Sequence, residues 1–167
     1  DGNGAVRFDG SIWTVYNDPL ITDGVVNSIV DDLDGNMYFS TFTGVVKFDG
    51  SSYSEFLLPE SKKTITPETR KIYQEIQKTK GRTGKDLRDP LASEVSTLFR
   101  DSQGNLWFTP MDGSYVKWDG SDFFTYPIEH SFFYCTDIVE DHLGNMLFAQ
   151  YKSAIDKFDG TNWITYT

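Results

Sequence analysis

Short apolar runs alternate along the chain with clusters of Asp, Gly and Asn, which is the pattern of β-strands joined by tight turns. Most runs have about four to seven residues, fewer than a typical helix of a globular domain. They form three sets of four, at residues 25–57, 94–127 and 134–167, and a partial set of two at 4–17. We therefore expect three four-stranded antiparallel sheets preceded by one pair of strands.

The sets are copies of one repeat. A tripeptide of Phe or Trp, Asp and Gly recurs before the last strand of each set, and its Asp residues are 40, 70 and 40 positions apart. These residues are Asp9, Asp49, Asp119 and Asp159. A Gly-Asn pair recurs between the first two strands, and aromatic residues recur four and seven positions after each Asp of the tripeptide. The spacing indicates a module of about 40 residues, with about 30 residues inserted after its first complete copy.

The repeat predicts an all-β fold of β-propeller blades within one domain covering residues 1–167. A small four-stranded sheet has two apolar faces, so it is stable only when neighbouring sheets cover both of them. The chain contains 4 Trp, 9 Tyr and 13 Phe, and we expect the recurrent aromatic residues to fill the space between blades.

The inserted segment, residues 58–92, differs from the repeat. Thr66 and Pro67 are typical of a helix start, and Gly81 of a helix end, which predicts one helix at 67–80 followed by a basic loop. Nine basic and five acidic residues give residues 60–90 a net charge of +4, whereas the rest of the chain carries −14. The segment is interpreted either as a solvated excursion or as an anion or partner site.

Charge and hydropathy exclude some partners. The net charge of −10 argues against binding to a nucleic-acid backbone, and the sequence has no run of 18 apolar residues that would predict insertion into a membrane. Cys135 is the single cysteine, so no intrachain disulfide is expected, and its position on a first strand predicts a small buried side chain. Because the chain begins at Asp1, we expect a processed product or a piece of a longer protein.

No catalytic, cofactor or metal motif is recognisable in the sequence. His142 replaces Leu33 and Ser102 in equivalent turns, which indicates an exposed turn residue, and His130 lies between repeats. The acidic turn at 31–36 lacks the spacing of a calcium-binding loop. We therefore expect no enzymatic activity, no cofactor and no metal ion.

The repeat resembles that of the two-component regulator propellers. The best copy carries the motif in order as Asp101, Gly104, Asn105, Leu106, Trp107, Phe108 and Thr109. The resemblance implies the sensor region of a bacterial hybrid histidine kinase, usually periplasmic and recognising glycans. It therefore implies a periplasmic or extracellular location, while the cysteine content leaves a cytoplasmic one open. Streptogramin-lyase-like enzymes have a related propeller shape and need a histidine and carboxylates gathered around a metal.

Three functions follow as hypotheses. The first is a module that binds a ligand or partner, such as a glycan or another small polar molecule, within a signalling protein. The alternatives are a metal-dependent lyase or hydrolase on the same fold, and a structural protein that forms oligomers.

The first strand of each blade lines the axis of a propeller, so polar residues on these strands predict a site there. The candidates are Asn27, Ser28, Ser96, Thr97, Thr136 and Asp137. Asp137 is the only ionisable member and our preferred ligand-binding residue. Arg82, Lys85 and Arg88 of the insertion are expected to close over this site. Alternatively, the polar residues solvate an empty channel.

The expected strands number about 14, too few for a closed ring of four to eight four-stranded blades. An open array would expose apolar faces, which monomers rarely tolerate. Two copies supply about 28 strands, the count of a seven-bladed ring. We therefore expect a homodimer that completes a ring.

Overall fold

The computed structural model describes residues 4–22, 25–59, 94–128, 134–151 and 154–167. The expected helix at 67–80 lies outside the described residues, as do Arg82, Lys85, Arg88 and His130.

The described residues form fourteen strands and one short helix, and the all-β prediction is confirmed. Half-blade A contains β1 (Ala5–Phe8) and β2 (Trp13–Tyr16). Blade B contains β3 (Ser28–Asp31), β4 (Met37–Thr41), β5 (Gly44–Phe48) and β6 (Tyr53–Phe56). Blade C contains β7 (Val95–Arg100), β8 (Leu106–Pro110), β9 (Ser114–Trp118) and β10 (Phe123–Pro127). Blade D contains β11 (Cys135–Glu140), β12 (Met146–Gln150), β13 (Ile155–Phe158) and β14 (Trp163–Tyr166). A helical turn, α1 (Pro19–Thr22), which the strand pattern did not predict, follows half-blade A.

Each complete blade is an antiparallel sheet whose strands follow one another in chain order. Strand direction therefore alternates, so the hairpin between the second and third strands emerges at the same end as the connection to the next blade. We call this end the loop face. The opposite end, the turn face, carries the Asp-containing turns of the repeat. The register of third and fourth strands is the same throughout, as in the pairs Val45 with Phe56 and Tyr115 with Tyr126.

The turns between first and second strands are built around one carboxylate. In blade B, Asp32 Oδ1 accepts the backbone N–H of Asp34 at 3.0 Å and of Asn36 at 2.8 Å. Its Oδ2 accepts the Asn36 amide at 2.7 Å and the Tyr38 hydroxyl at 3.0 Å. Burial raises the pKa of Asp32, but these hydrogen bonds outweigh it and hold the pKa below its usual range. The acidic segment at 31–36 is thus a structural turn, as expected from the repeat.

The turns between third and fourth strands use the recurrent Asp-Gly pair. Asp49 Oδ1 accepts the backbone N–H groups of Ser51 and Ser52, both at 2.8 Å, and these bonds lower the pKa of Asp49. Gly50 follows with a φ of 93°, a conformation that residues with a Cβ rarely adopt. The other three turns of this kind repeat the arrangement, which explains why the dipeptide marks every copy.

Aromatic and aliphatic side chains fill the joints between blades, as the repeat predicts. The A–B joint contains Tyr16, Ile21, Phe39 and Val46. The B–C joint contains Tyr38, Val45, Val95, Leu98, Leu106, Phe108 and Val116. The C–D joint contains Trp107, Tyr115, Ile128, Cys135, Ile138, Met146, Phe148 and Phe158. Within the described residues, the array therefore has three cores, one in each joint.

The two ends of the array differ from this pattern. Trp13 of half-blade A is 65% exposed and Tyr166 of blade D is 53% exposed, although both are recurrent aromatic residues of the repeat. At the interior joints the recurrent aromatic residues are buried or half-buried, apart from Phe123 at 37% exposure, whereas the expectation that they form the core is wrong at the two ends. The reason is that the outer face of half-blade A and the end face of blade D have no neighbouring blade among the described residues.

Candidate functional site

The first strands of blades B, C and D lie side by side, and three of the predicted axial residues bind the neighbouring blade. Asn27 Nδ2 donates to Val95 O at 3.3 Å. Ser28 Oγ donates to Leu98 O at 3.4 Å and accepts the Leu98 N–H at 3.1 Å. Thr97 Oγ1 continues the series by donating to Cys135 O at 2.9 Å. These side chains connect first strands that belong to different sheets, so their polar groups stabilise the array.

Ser96 lies inside blade C. Its side chain is buried, and its Oγ lies 2.8 Å from Thr109 Oγ1 and 3.2 Å from Thr109 O. The Thr109 hydroxyl also accepts the backbone N–H of Thr97 at 3.0 Å, at the irregularity that shifts the register of β7. Ser96 therefore supports the strand rather than presenting a group to the axis.

Thr136 and Asp137 of blade D are the two exposed members of the predicted set. Thr136 Oγ1 donates to Ala149 O at 3.1 Å, and Asp137 Oδ1 accepts the N–H of Ile138 at 2.9 Å. Both contacts lie within blade D, so the carboxylate at the open end of the array stays accessible. Asp137 thus has the exposure that a ligand-binding residue needs.

A groove on the loop face, with a volume of about 240 Å³, is a second candidate site. It runs between blades B and C and is lined mainly by Leu20, Thr43, Leu58, Val95, Pro110 and Asp112, with Glu55 at its edge. The sequence did not predict this groove, because its walls come from two hairpins and two connections that are distant in the chain. The one feature of the sequence that could have indicated this site is the variation of the hairpin residues from blade to blade.

A few polar side chains lie among the apolar residues that line the loop-face groove. The Asp112 carboxylate is buried and its Oδ1 accepts both the N–H and the hydroxyl of Ser114, at 2.8 and 2.7 Å, which fixes the hairpin of blade C. Thr43 lies on the equivalent hairpin of blade B, with its hydroxyl 3.1 Å from that of Thr41. Glu55 is exposed. The groove therefore combines an apolar surface with two carboxylates, which accept hydrogen bonds but do not donate them.

A buried polar cluster lies within the C–D joint. Asp156, 2% exposed, accepts hydrogen bonds from the Tyr115 hydroxyl at 2.7 Å, the Gln150 amide at 2.8 Å and the Thr165 hydroxyl at 2.7 Å. The Gln150 amide also contacts the Tyr115 hydroxyl. Burial, the hydrogen bond to Asp156 and the charge of Asp156 raise the pKa of Tyr115, so the phenol stays protonated. The cluster is not predictable from the repeat, because Asp156 occupies a position that is apolar in the other copies.

The Cys135 side chain is buried, as its position on a first strand predicts. Burial raises the pKa of the Cys135 thiol to about 12, which suppresses the nucleophilic thiolate. His142 is exposed in its turn, as expected. Among the described residues, no three His, Cys, Asp or Glu side chains lie close enough together to hold a metal ion. Over the same ranges, no helix has the length and apolar character needed to cross a membrane.

A family model matches part of one copy of the repeat. The model described as two component regulator propeller matches residues 90–111, which include the first two strands of blade C. Residues 90–111 therefore match the two-component regulator propeller repeat. The resemblance inferred from the motif beginning at Asp101 is thereby confirmed. No curated protein sequence is similar enough to be recognised as a relative.

Solved structures support the propeller fold. A catalytically inactive virginiamycin B lyase from Staphylococcus aureus, crystallised with quinupristin, matches 99% of this chain with a TM-score of 0.68 and 15% identity. A streptogramin B lyase matches 84% with a TM-score of 0.57 and 20% identity. The extracellular domain of a hybrid two-component system from B. thetaiotaomicron matches 94% with a TM-score of 0.61 and 17% identity. At such identities the similarity shows the fold alone. The chain spans 49%, 40% and 19% of these three proteins, respectively.

Proposed function

We propose that this propeller module binds a small polar ligand, such as a sugar, and that it is a sensing region of a signalling protein. The observation that carries the proposal is the loop-face groove between blades B and C. A concave site with apolar walls and a few polar groups is the usual form of a small-molecule site. The Asp112 and Glu55 carboxylates accept hydrogen bonds, so they favour a ligand rich in donors, such as hydroxyl or amine groups.

The open end of the axis is the second location for a ligand within the same function. Asp137 and Thr136 are exposed there and provide a carboxylate and a hydroxyl. The other four predicted axial residues are buried or half-buried and bind groups between or within blades, so we assign an axial site to this end alone.

A periplasmic or extracellular location is part of the proposal. The regulator-propeller repeat and the similarity in fold to the extracellular domain of a two-component system support it. The lyases support the fold equally well, so the experiment must separate binding from turnover.

The test is a thermal-shift screen of neutral sugars, amino sugars, amines and inorganic anions, followed by titration calorimetry of each hit. The loop-face site predicts that Glu55→Gln weakens binding severalfold while Asp137→Asn leaves it unchanged. The axial site predicts the reverse. Both substitutions keep the shape of the side chain and remove one charge, so each serves as the control for the other.

Two results would overturn the proposed function. Absence of any stabilising ligand across the screen would favour the structural role. Conversion of a bound hit, followed by mass spectrometry over hours, would establish the enzyme class instead. Binding that is lost in neither variant would place the ligand elsewhere and reject both sites.

A further inference from the structure

One aromatic contact recurs at every interior joint. The last aromatic residue of each blade's fourth strand lies against the third-strand aromatic residue of the next blade. The ring centroids are 5.6 Å apart for Tyr16 and Phe48, 5.3 Å for Phe56 and Trp118, and 5.1 Å for Tyr126 and Phe158. The contact is thus a property of the repeat, and it identifies which two faces meet when blades pack.

Each end of the array carries an unmatched half of this contact. Tyr166 of blade D is equivalent to the fourth-strand residues Tyr16, Phe56 and Tyr126, and it is 53% exposed. Phe8 of half-blade A is equivalent to the third-strand residues Phe48, Trp118 and Phe158, and it is 51% exposed. Phe8 also stacks on Trp13, with a centroid distance of 4.8 Å, as Phe158 does on Trp163 at 4.6 Å. The two exposed surfaces therefore carry the complementary halves of this aromatic contact.

The aliphatic residues of the two surfaces support the same interpretation. The end face of blade D presents Val139, Ile155 and Ile164, which are 50%, 44% and 47% exposed. Ile155 occupies the register position of Val45, which is 3% exposed within the B–C joint. On half-blade A, Val6 occupies the position of Val46 and Val116 and is 59% exposed, whereas these two are 3% and 1% exposed.

Hydrogen-bonding positions of blade D also lack the neighbour that the equivalent positions have in blades B and C. Ser28 and Thr97 each reach forward to the next blade, and Asp137 holds the equivalent position in blade D. At the turn face, Ser102 donates to Glu140 of the next blade, and His142 occupies the equivalent position. Blade D therefore has the forward-facing positions of blades B and C but no following blade among the described residues.

We propose that the end face of blade D binds the outer face of half-blade A in a second copy of this chain. Tyr166 of one copy packs against Phe8 and Trp13 of the other, and Ile155 packs near Val6. Two such joints form a ring of two chains, because each copy offers one face of each kind. Half-blade A has no first strand, so Asp137 and Thr136 remain open to the axis at each joint.

A second copy is the occupant that the two surfaces favour, because the third- and fourth-strand side chains that meet at an interior joint are present at opposite ends of the same chain. This inference concerns assembly, and it stands or falls independently of ligand binding in the groove.

The test is sedimentation equilibrium of the 167-residue chain at micromolar concentrations. The parent should have twice the chain mass of 19.0 kDa. Tyr166→Glu and Phe8→Glu should each reduce it to the monomer, because a charge in an apolar joint is strongly unfavourable. Leu57→Glu is the matched control, since Leu57 is 77% exposed and lies on neither end face, and this variant should remain dimeric. Circular dichroism and melting temperature establish that each variant is folded.

Mixing the two monomeric variants distinguishes this arrangement from a symmetric one. Tyr166→Glu retains an intact half-blade A, and Phe8→Glu retains an intact blade D, so one joint should form and the mixture should give a one-to-one complex. A Phe8→Glu variant that is dimeric by itself would show a joint between two D faces and overturn the proposal. A parent that stays monomeric would also overturn it, and would assign the two faces to further blades of the same polypeptide.

Discussion

The B–C and C–D joints have the same register but different chemistry. In the B–C joint, Val45 and Val116 occupy two facing third-strand positions, and both are buried. In the C–D joint the same two positions hold Tyr115 and Asp156, which form a hydrogen bond of 2.7 Å. An apolar contact tolerates many partners, whereas a buried hydrogen-bonded pair is favourable only when both members are present. The repeat thus determines which positions of two blades are in contact. The side chains at these positions determine which neighbouring blade each one can accept.

The largest effect should come from removing an aromatic side chain at the centre of either joint. Phe108 and Phe148 are both 0% exposed at equivalent positions of blades C and D. Alanine at either site should lower the free energy of unfolding by about 3–5 kcal/mol, because it removes apolar contacts and leaves a cavity. Urea unfolding measures the loss. A loss of less than about 1 kcal/mol at only one of the two sites would show that the joints are not equivalent.

The hydrogen bond between Tyr115 and Asp156 should make the effects of substitutions at these two positions depend on each other. Asp156→Val should reduce the free energy of unfolding by about 1–3 kcal/mol, because it removes the acceptor of three donors, of which the Tyr115 hydroxyl is buried. In a cycle with Tyr115→Phe, the second substitution should have a smaller effect when the first is already present. Purely additive losses in urea unfolding would indicate that the hydrogen bond does not stabilise this joint.

A smaller difference in the free energy of unfolding is expected between removing an axial hydroxyl that connects two blades and removing one that does not. Thr97→Val removes the bond to Cys135 O and should destabilise the chain by about 1 kcal/mol. Thr136→Val, at an exposed position with a bond inside its own blade, should change stability by less than about 0.5 kcal/mol. Equal losses for the two variants would contradict a specific role for the contact between blades.

The smallest individual effects belong to the exposed turn carboxylates, and they depend on pH. Backbone N–H groups lower the pKa values of Asp49, Asp119 and Asp159 below the unfolded value of about 3.9. Their contribution is therefore present at neutral pH and is lost as the pH falls through the lowered pKa values. The urea concentration at the unfolding midpoint should decrease as the pH is lowered below about 4. This decrease should be shallower for Asp119→Asn than for the parent. Identical profiles for the two proteins would contradict this account.

The fold was predictable because its determinants are local and recur. Asp-Gly and Gly-Asn turns, together with alternating aromatic residues, mark each strand, and hydrogen bonds of residues such as Asp49 act over two or three positions. The candidate sites were less predictable. Asn27 and Thr97 are polar on axial strands, as a site would require, but their partners lie on another blade and no local pattern identifies them. The loop-face groove depends on connections that differ in every copy.

The central claim is that the two ends of the array are the separated halves of an interior joint. Hydroxyl-radical footprinting with mass spectrometry tests this directly, when the chain is labelled at low nanomolar and at high micromolar concentration. The account predicts that labelling of Phe8, Trp13 and Tyr166 falls together at high concentration, towards the level of Phe48 and Tyr126, while Leu57 stays fully labelled. Labelling of these three residues that does not change with concentration, or protection of Tyr166 without Phe8, would contradict it.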